Sequence, residues 1–356
     1  MNSEPAPATD RVIPVNVLTG FLGSGKTTLL QRLLRSPRMG RTAVLINEFG
    51  EIGLDHLLVQ QVDESVLVLQ SGCICCSIRD DLKSALRGLL SRRERCEIPA
   101  FDRVVIETTG LADPGPILYT LLSEPVIRHH FQLGNVITTV DVVNAELHLS
   151  RNREGIKQVA AADRLVLTKS DLAEPGQTAA VRDELTRLNS SARIWDAAED
   201  PVDVDFLLDM LPSEQQLNSA RHRSEEQAPQ GQERKTGKPA PLIGLRLHTD
   251  SVSSFSLILD RPMDWTAFGI WLSLLLNRHG DDVLRVKGIL CVERTETPVF
   301  INGVQHIVHP PQHLERWPTE DHRSRIVFIT RGIDQGRLRR SLEAFCRLQV
   351  AELSVA

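Results

Sequence analysis

The sequence predicts an α/β protein with a mostly parallel sheet and helices on both of its faces, followed by a smaller α+β domain. Apolar runs with the composition of strands alternate with helical patterns in the N-terminal part of the chain, which is typical of parallel strands joined by helices. These runs are apolar at nearly every position, as expected for strands buried on both faces. A length of 356 residues also favours two domains with separate cores.

The predicted strands of the first domain begin with an apolar run that precedes a glycine-rich stretch. They cover 12–18, 43–46, 66–69, 104–106, 136–140 and 165–167. The last third of the chain is richer in strand candidates than in helical patterns, which predicts a largely antiparallel sheet. Its strand candidates are 243–247, 255–259, 283–292, 299–308 and 326–330, and its helices are 265–276 and 335–348.

Residues 20–27 form a complete G-x-x-x-x-G-K-[ST] sequence between a predicted strand and an apolar helical run. Successive backbone N–H groups of such a loop point at phosphates, and the positive end of the following helix faces them. We expect Lys26 to neutralise phosphate charge and Thr27 to bind Mg²⁺. The motif predicts a P-loop NTPase-type sheet that binds a nucleoside triphosphate through Gly23, Ser24, Gly25, Lys26, Thr27 and Thr28.

A change of composition separates the two domains. Residues 212–241 are rich in Ser, Glu, Gln, Arg, Gly, Lys and Pro, and they have too few apolar side chains to fold alone. We therefore expect a disordered leader over 1–10, a P-loop domain over 11–211, a flexible linker over 212–241 and an α+β domain over 242–356.

Composition also limits the partners of the protein. The net charge of −5 and the pI near 6.1 leave no basic surface for a polyanion, so we expect no nucleic-acid partner. No apolar run approaches about 18 residues, and the N-terminus lacks a basic start with a long apolar core. We expect a soluble cytoplasmic protein without a membrane span.

An acidic residue and a glycine follow the predicted strand at 104–106. Glu107 stands at its carboxyl end, where it can face Mg²⁺ or a bound water, and the alternative is a solvent-exposed strand end. Gly110 can bring a backbone N–H to the γ-phosphate and move when that phosphate leaves. We expect catalysis to depend on Lys26, Thr27 and Glu107 through positioning and charge stabilisation. No glutamine follows Gly110 to orient the attacking water.

The sequence T-K-S-D at 168–171 predicts the base of the nucleotide. Asp171 can accept hydrogen bonds from N1–H and the 2-amino group of guanine, a pair that adenine does not offer. Lys169 can lay its alkyl stem over the purine face. The predicted ligand is therefore GTP, and the competing interpretation is a helix start with Asp171 as its cap.

Cys73, Cys75 and Cys76 lie between a predicted strand and a helix that begins near residue 77. In a reducing compartment such a cluster is better explained by metal or redox chemistry than by a disulfide framework. Thiolates favour Zn²⁺, Cu(I) or Co²⁺ over Mg²⁺, and the nearby helix start promotes their formation. A closed zinc site needs four ligands, so this incomplete set suits a metal that must later leave. A redox switch is the alternative.

Glu48 follows the second predicted strand, where the first nucleotide-sensing switch usually lies. The cysteine loop and Glu107 both follow strands, so we expect them at the same carboxyl edge of the sheet. We hypothesise that Glu48 is a further ligand of the metal bound by the cysteines. The alternative is that it only orders the switch through Mg²⁺ or a backbone amide.

Three histidines, His306, His309 and His313, have a spacing that resembles a metal site. Pro310 and Pro311 break any helix between them, so the geometry of a ligand set is not assured. Surface or interface histidines are the favoured interpretation.

Five motifs occur in one order and together resemble the CobW-like branch of the metal-handling P-loop GTPases, a group that includes UreG and HypB. The C-terminal domain also resembles the CobW C-terminal domain, through V-K-G at 286–288 and I-V-F-I at 326–329. The five motifs are G-F-L-G-S-G-K-T-T at 20–28, N-E-F-G-E at 47–51, G-C-I-C-C at 72–76, E-T-T-G-L-A-D-P at 107–114 and T-K-S-D at 168–171.

The resemblance implies slow GTP hydrolysis coupled to metal binding at C-x-C-C and to delivery of the metal to a client metalloprotein. Zinc is the usual cargo, and cobalt is the cargo of the cobalamin branch. The His-rich run that many zinc-handling members carry between their domains is missing here, because 212–241 holds His222 alone. Two alternatives stay open, a cobalt chaperone of cobalamin synthesis and a GTP-locked metal sensor or storage protein without a client. A homodimer is also left open.

Overall fold

The computed structural model of the chain describes residues 12–46, 67–70, 78–199, 203–208 and 252–352. The chain divides into two compact units, Met1–Thr139 with Asp200–Met210 and Val140–Glu199 with Leu211–Ala356. The predicted domain boundaries after residues 10, 211 and 241 lie outside the described residues. The leader, the linker and the domain limits therefore stay predictions.

The first sheet of the structure has seven strands. They are β1 Ile13–Gly20, β2 Thr42–Ile46, β3 Leu67–Gln70, β4 Arg103–Glu107, β5 Phe131–Asp141, β6 Arg164–Thr168 and β7 Arg193–Asp196. Their order is β3-β2-β4-β1-β5-β6-β7, and the pairs β3–β2, β2–β4, β4–β1, β1–β5 and β6–β7 are parallel. The predicted mostly parallel sheet is confirmed, and β7 is an additional strand that the sequence did not predict.

Helices flank this sheet, as predicted. Burial of every residue of β6 and of all but the first residue of β4 agrees with strands covered on both faces. Two 3₁₀ turns, Pro37–Met39 and Ser170–Leu172, complete the connections. The helices are α1 Lys26–Leu34, α2 Ile78–Glu94, α3 Gly115–Ser123, α4 Pro125–His130, α5 Ala145–Arg151, α6 Arg153–Ala161, α7 Gln177–Leu188 and α8 Val204–Leu208.

A second sheet of six strands lies in the C-terminal part of the chain. Its strands are β8 Val252–Leu259, β9 Val283–Leu290, β10 Val299–Val304, β11 Ile307–Val308, β12 Gln312–His313 and β13 Ser324–Arg331. Every pairing among them is antiparallel, which confirms the predicted α+β character. Helices α9 Trp265–His279 and α10 Gln335–Glu352 belong to this part, and Trp271 Nε1 of α9 donates to Ser341 Oγ of α10 at 2.9 Å. No helix in the described ranges combines the length and the apolar character needed to cross a membrane.

The predicted strand at 299–308 is wrong, because two strands occupy this range. β10 ends at Val304, and the chain reverses through Gln305, whose φ is 53°, so that Val304 pairs with Ile307 of β11. Left-handed turn positions usually hold glycine or asparagine, and this turn has neither. The turn itself therefore lacks the usual sequence signal, and the Asn302-Gly303 pair that would carry such a signal lies within β10. The predicted strand at 243–247 lies outside the described residues.

A buried cluster of charged side chains lies inside the second unit. Arg285 Nη2 and Lys287 Nζ, both on β9, donate to Asp163 Oδ1 at 2.5 and 3.3 Å. Both cationic side chains are 2% exposed and that of Asp163 is 7% exposed. Arg285 also donates to the carbonyl of Ala161. Burial lowers the pKa of Lys287 to about 8, although the charge of Asp163 opposes the shift. One carboxylate thus holds two buried cations directly before β6.

The three histidines of the C-terminal sheet lie in different environments. His306 and His313 are exposed, as predicted. The Nε2 atom of His309 is buried, and burial lowers the pKa of this ring to about 4 despite the nearby charge of Asp163. Within the ranges that the structure describes, no three His, Cys, Asp or Glu side chains form a group that could hold a metal ion.

Replacing Asp163 should strongly destabilise the second unit. Asp163→Asn leaves two buried cations without a counter-charge, which costs about 3–5 kcal/mol. Urea unfolding followed by tryptophan fluorescence measures this loss, because all four tryptophans, at 195, 265, 271 and 317, belong to the second unit. Glu343→Gln is the matched control, since it removes an exposed pair with Arg339 that is worth less than about 1 kcal/mol. Equal effects of the two substitutions would contradict the role of the cluster.

Candidate functional site

The predicted phosphate loop joins β1 to α1 in the first unit. Gly20 has a φ of 141°, and a Cβ at this position would lie 2.2 Å from Thr139 Oγ1, so only glycine fits. Helix α1 has no acidic residue of its own in its first turn, so the positive end of its dipole faces the loop without a charge from within the helix. Lys26 Nζ donates to the carbonyls of Gly20 and Phe21 at 3.0 and 3.1 Å. These contacts hold the amine against the loop that is predicted to bind phosphate.

The structure brings together Thr27 and Glu107, the two side chains predicted at Mg²⁺. Thr27 lies in the first turn of α1, and Glu107 is the last residue of β4, in parallel register with Leu18 of β1. Thr27 Oγ1 donates to Glu107 Oε1 at 2.7 Å, and Glu107 is only 5% exposed. The alternative of a solvent-exposed strand end is therefore wrong. A hydroxyl oxygen beside a carboxylate oxygen fits Mg²⁺, which prefers hard oxygen ligands.

The loop after β4 contacts the phosphate loop. A Cβ on Gly110 would lie 2.6 Å from the backbone nitrogen of Leu22, so this close approach requires glycine. Thr108 fixes the start of the same loop, because its N–H donates to the Leu18 carbonyl and its hydroxyl to Thr19 Oγ1, both at 2.9 Å. Gly110 thus lies beside the phosphate loop, while its contact with a γ-phosphate stays a prediction.

Buried threonines that sequence analysis did not identify support Ser24 and the rest of the phosphate loop. Ser24 Oγ lies 2.6 Å from Thr139 Oγ1, which also donates to the Thr19 carbonyl at 3.3 Å. The sequence holds no local signal for these threonines, because each is an ordinary residue of a strand. Of the remaining predicted loop residues, Gly23 and Thr28 are exposed and Gly25 precedes α1 with a φ of 86°.

The predicted guanine loop follows β6 in the second unit. Asp171 lies in the 3₁₀ turn, where its side chain is exposed and makes no hydrogen bond within the described ranges. The alternative in which Asp171 caps a helix is therefore wrong, and Gly176 precedes the next helix instead. Ser170 Oγ donates to Asp196 Oδ1 at 2.6 Å, which anchors the turn. The carboxylate of Asp171 is left open to a ligand.

Asp141 is a residue of this region that sequence analysis missed. It ends β5 and accepts a hydrogen bond from Lys169 Nζ at 2.7 Å, although its side chain is only 1% exposed. Burial raises the pKa of Asp141, but hydrogen bonds from Lys169 and Asn144 more than offset this, so the pKa lies below its ordinary value. The sequence held a signal for Asp141, because an acidic residue at the carboxyl end of an apolar strand is the pattern that also identified Glu107.

Glu48, Cys73, Cys75 and Cys76 lie outside the described residues, so their metal-binding roles stay predictions. On either side of the cysteines, β3 ends at Gln70 and α2 begins at Ile78. Because β3, β2 and β4 are parallel, the carboxyl ends of β3 and β4 lie at one edge of the sheet.

Comparison with known proteins matches each of the two sheets to a known domain family. The model of the CobW/HypB/UreG nucleotide-binding domain matches residues 14–196. The model of the cobalamin synthesis protein cobW C-terminal domain matches residues 252–346. The two matched ranges cover the parallel sheet and the antiparallel sheet.

Individual relatives are similar over most of the chain. The zinc chaperone YjiA of Escherichia coli is 34% identical over 322 residues, which is 89% of this chain and 93% of that protein. The zinc-regulated GTPase metalloprotein activator 1 of Schizosaccharomyces pombe is 34% identical over 206 residues, 56% of this chain and 49% of that protein. The crystal structure of Zn(II)-bound YjiA GTPase from E. coli has a TM-score of 0.67 and 28% identity, covering 94% of this chain and 99% of that chain.

Gly20, which is buried, and Gly23, which is exposed, should differ in how much an added methyl group destabilises the protein. Gly20→Ala should destabilise β1 and α1 by about 2–4 kcal/mol, since it combines a strained φ with a clash against Thr139. Gly23→Ala is the matched control, because its φ is also positive but a Cβ meets nothing within 4 Å. Its cost should stay near about 1–2 kcal/mol. Native-state hydrogen exchange of the β1 and α1 amides measures the loss of stability in each variant. An equal loss of stability in Gly20→Ala and Gly23→Ala would contradict the packing described for Gly20.

Proposed function

The chain belongs to the CobW/HypB/UreG family and is a P-loop GTPase of that family, and we propose that it couples GTP hydrolysis to the transfer of zinc to a client metalloprotein. The observation that best supports GTP hydrolysis is the hydrogen bond between Thr27 and Glu107 beside the phosphate loop. The names of the relatives, a zinc chaperone and a zinc-regulated GTPase metalloprotein activator, support the metal part.

In this proposal the phosphates of GTP bind the backbone N–H groups of residues 23–28 and the positive end of α1. Lys26 leaves its carbonyl contacts to neutralise charge on the β- and γ-phosphates. Thr27 and Glu107 hold Mg²⁺, directly or through water, and Mg²⁺ supplies charge stabilisation to the phosphoryl oxygens. Gly110 donates its N–H to the γ-phosphate, so its loop senses whether that phosphate is present.

Guanine selection belongs to the loop after β6. The exposed carboxylate of Asp171 accepts hydrogen bonds from N1–H and the 2-amino group, and adenine cannot satisfy it. The stem of Lys169 covers one face of the purine. The residues after Gly110 are Leu111, Ala112 and Asp113, so this segment supplies no glutamine to orient the attacking water, and we expect slow intrinsic hydrolysis.

The cargo site in this proposal consists of the thiolates of Cys73, Cys75 and Cys76, with Glu48 as a further ligand. The described carboxyl ends of β3 and β4 lie at one sheet edge, which supports communication between the cysteine loop and Glu107. Zinc is favoured over cobalt because the relatives are named zinc chaperones. The words chaperone and activator in those names favour delivery to a client over storage.

Removal of the three thiols tests the proposed cargo site. The variant with Cys73→Ser, Cys75→Ser and Cys76→Ser should bind Zn²⁺ at least about 100-fold more weakly when Mg²⁺ and a non-hydrolysable GTP analogue are present, because no soft ligand remains. Competition with a chromogenic zinc chelator measures the affinity. Cys96→Ser, which removes an exposed free cysteine, should change nothing. Wild-type zinc affinity that is identical without nucleotide, with GDP and with the analogue would rule out the coupling.

Glu48→Ala separates two roles of that carboxylate. If Glu48 binds the cargo metal in the GTP state, the substitution should weaken zinc binding about tenfold or more with the GTP analogue and leave the GDP form unchanged. Glu97→Ala, at an exposed glutamate, is the control. Unchanged zinc affinity in both nucleotide states would remove Glu48 from the ligand set.

A further inference from the structure

A buried carboxylate controls where the lysine of the guanine loop can lie. Asp141 is 1% exposed in the side chain, whereas Lys169 is 38% exposed, and their charged atoms are 2.7 Å apart. The amine of Lys169 is therefore held at a buried acid, while the lysine side chain as a whole stays partly exposed. Because a lysine stem otherwise samples many rotamers, this contact removes conformational freedom from the side chain before any ligand binds.

The carboxylate of Asp141 is itself held rigidly. It accepts the backbone N–H groups of Val143 and Asn144 at 3.0 and 3.3 Å, and the side-chain amide of Asn144 at 2.8 Å. These bonds leave the acid ionised and fix its position relative to the end of β5. The acid thus has a defined position from which to hold a cation.

The backbone next to Lys169 is hydrogen-bonded to the segment that contains Asp141. Lys169 has a φ of 59°, a left-handed conformation that is uncommon for residues other than glycine, asparagine and aspartate. The end of β6 is joined to the residues after β5, since Val142 N–H donates to the Thr168 carbonyl at 3.0 Å and Thr168 Oγ1 to the Val140 carbonyl at 3.3 Å. The residue directly before Lys169 is thus tied to the segment that carries Asp141, which keeps the lysine and the acid close to each other.

We propose that Asp141 is a positioning residue for nucleotide binding, which holds the stem of Lys169 as a preformed platform for the purine ring. The inference rests on the proposed function, because it assumes that the T-K-S-D loop binds guanine. Asp141 touches no nucleotide in this scheme and acts only through Lys169. Its loss therefore weakens binding of the base without affecting the phosphate contacts.

Calorimetry with two ligands tests this separation. Asp141→Asn should weaken GDP binding about tenfold and leave pyrophosphate binding unchanged, because pyrophosphate has no base to rest on Lys169. Steady-state kinetics should show a higher KM for GTP with an unchanged kcat at saturation. A purely structural role would lower the affinity for both ligands together. Asn144→Ala is the matched control, since it removes another hydrogen bond to Asp141 but keeps the contact with Lys169.

A double-mutant cycle identifies Lys169 as the intermediary. In a Lys169→Met background, Asp141→Asn should have no further effect on GDP affinity, whereas additive effects would overturn the proposal. If Asp141→Asn does not fold, Asp141→Glu replaces it, because this variant keeps the charge but moves it by one methylene. Retention of full GDP affinity by that variant would also overturn the proposal. A wild-type protein that binds GDP and ADP equally would reject the proposed guanine site itself. A wild-type protein that prefers GDP, together with an Asp141→Asn variant of unchanged GDP affinity, would reject only the role of Asp141.

Discussion

The hydrogen bond between Thr27 and Glu107 depends on the parallel pairing of β1 with β4. This pairing brings the end of β4 level with Leu18, so the loop that follows Glu107 must pass beside the phosphate loop. Thr108 and Gly110 occupy that passage, one bonded to Leu18 and Thr19 and the other against the Leu22 backbone. A nucleotide-dependent movement at Gly110 would therefore change the surroundings of Thr27 and Glu107, the two residues expected to bind Mg²⁺.

The second unit holds β6 at both of its ends by contacts between an acid and cations. Before the strand, Asp163 binds Arg285 and Lys287 in a nearly solvent-free cluster. After the strand, Lys169 reaches Asp141, with the acid buried and the lysine partly exposed. The difference in exposure separates the two roles, because a fully buried cluster serves the fold and a partly exposed stem can meet a ligand. The strand between them connects the Asp163 cluster to the loop that is predicted to bind guanine.

A metal-handling GTPase must connect the state of a nucleotide with the affinity for an ion. The parallel order of β3, β2 and β4 supplies the means, because loops that follow parallel strands leave the sheet at one edge. In the proposed function, hydrolysis alters the Gly110 loop and, through this shared edge, the ligands of the cargo. The Asp163 cluster joins the C-terminal sheet to the start of β6, the strand that precedes the predicted guanine loop.

The sequence by itself predicted the chemistry of the loops, since the glycine-rich motif, the acid after β4 and T-K-S-D are local patterns at the ends of strands. It also determined the parallel and antiparallel sheets, because hydrophobic periodicity follows burial. It did not place the reversal at Gln305 or indicate that Asp141 binds Lys169. Only the tertiary structure decided which distant side chains meet, such as Lys169 with Asp141 across 28 positions and Arg285 with Asp163 across 122. The physical reason is that such contacts depend on the order of strands in space, and separation along the chain does not encode that order.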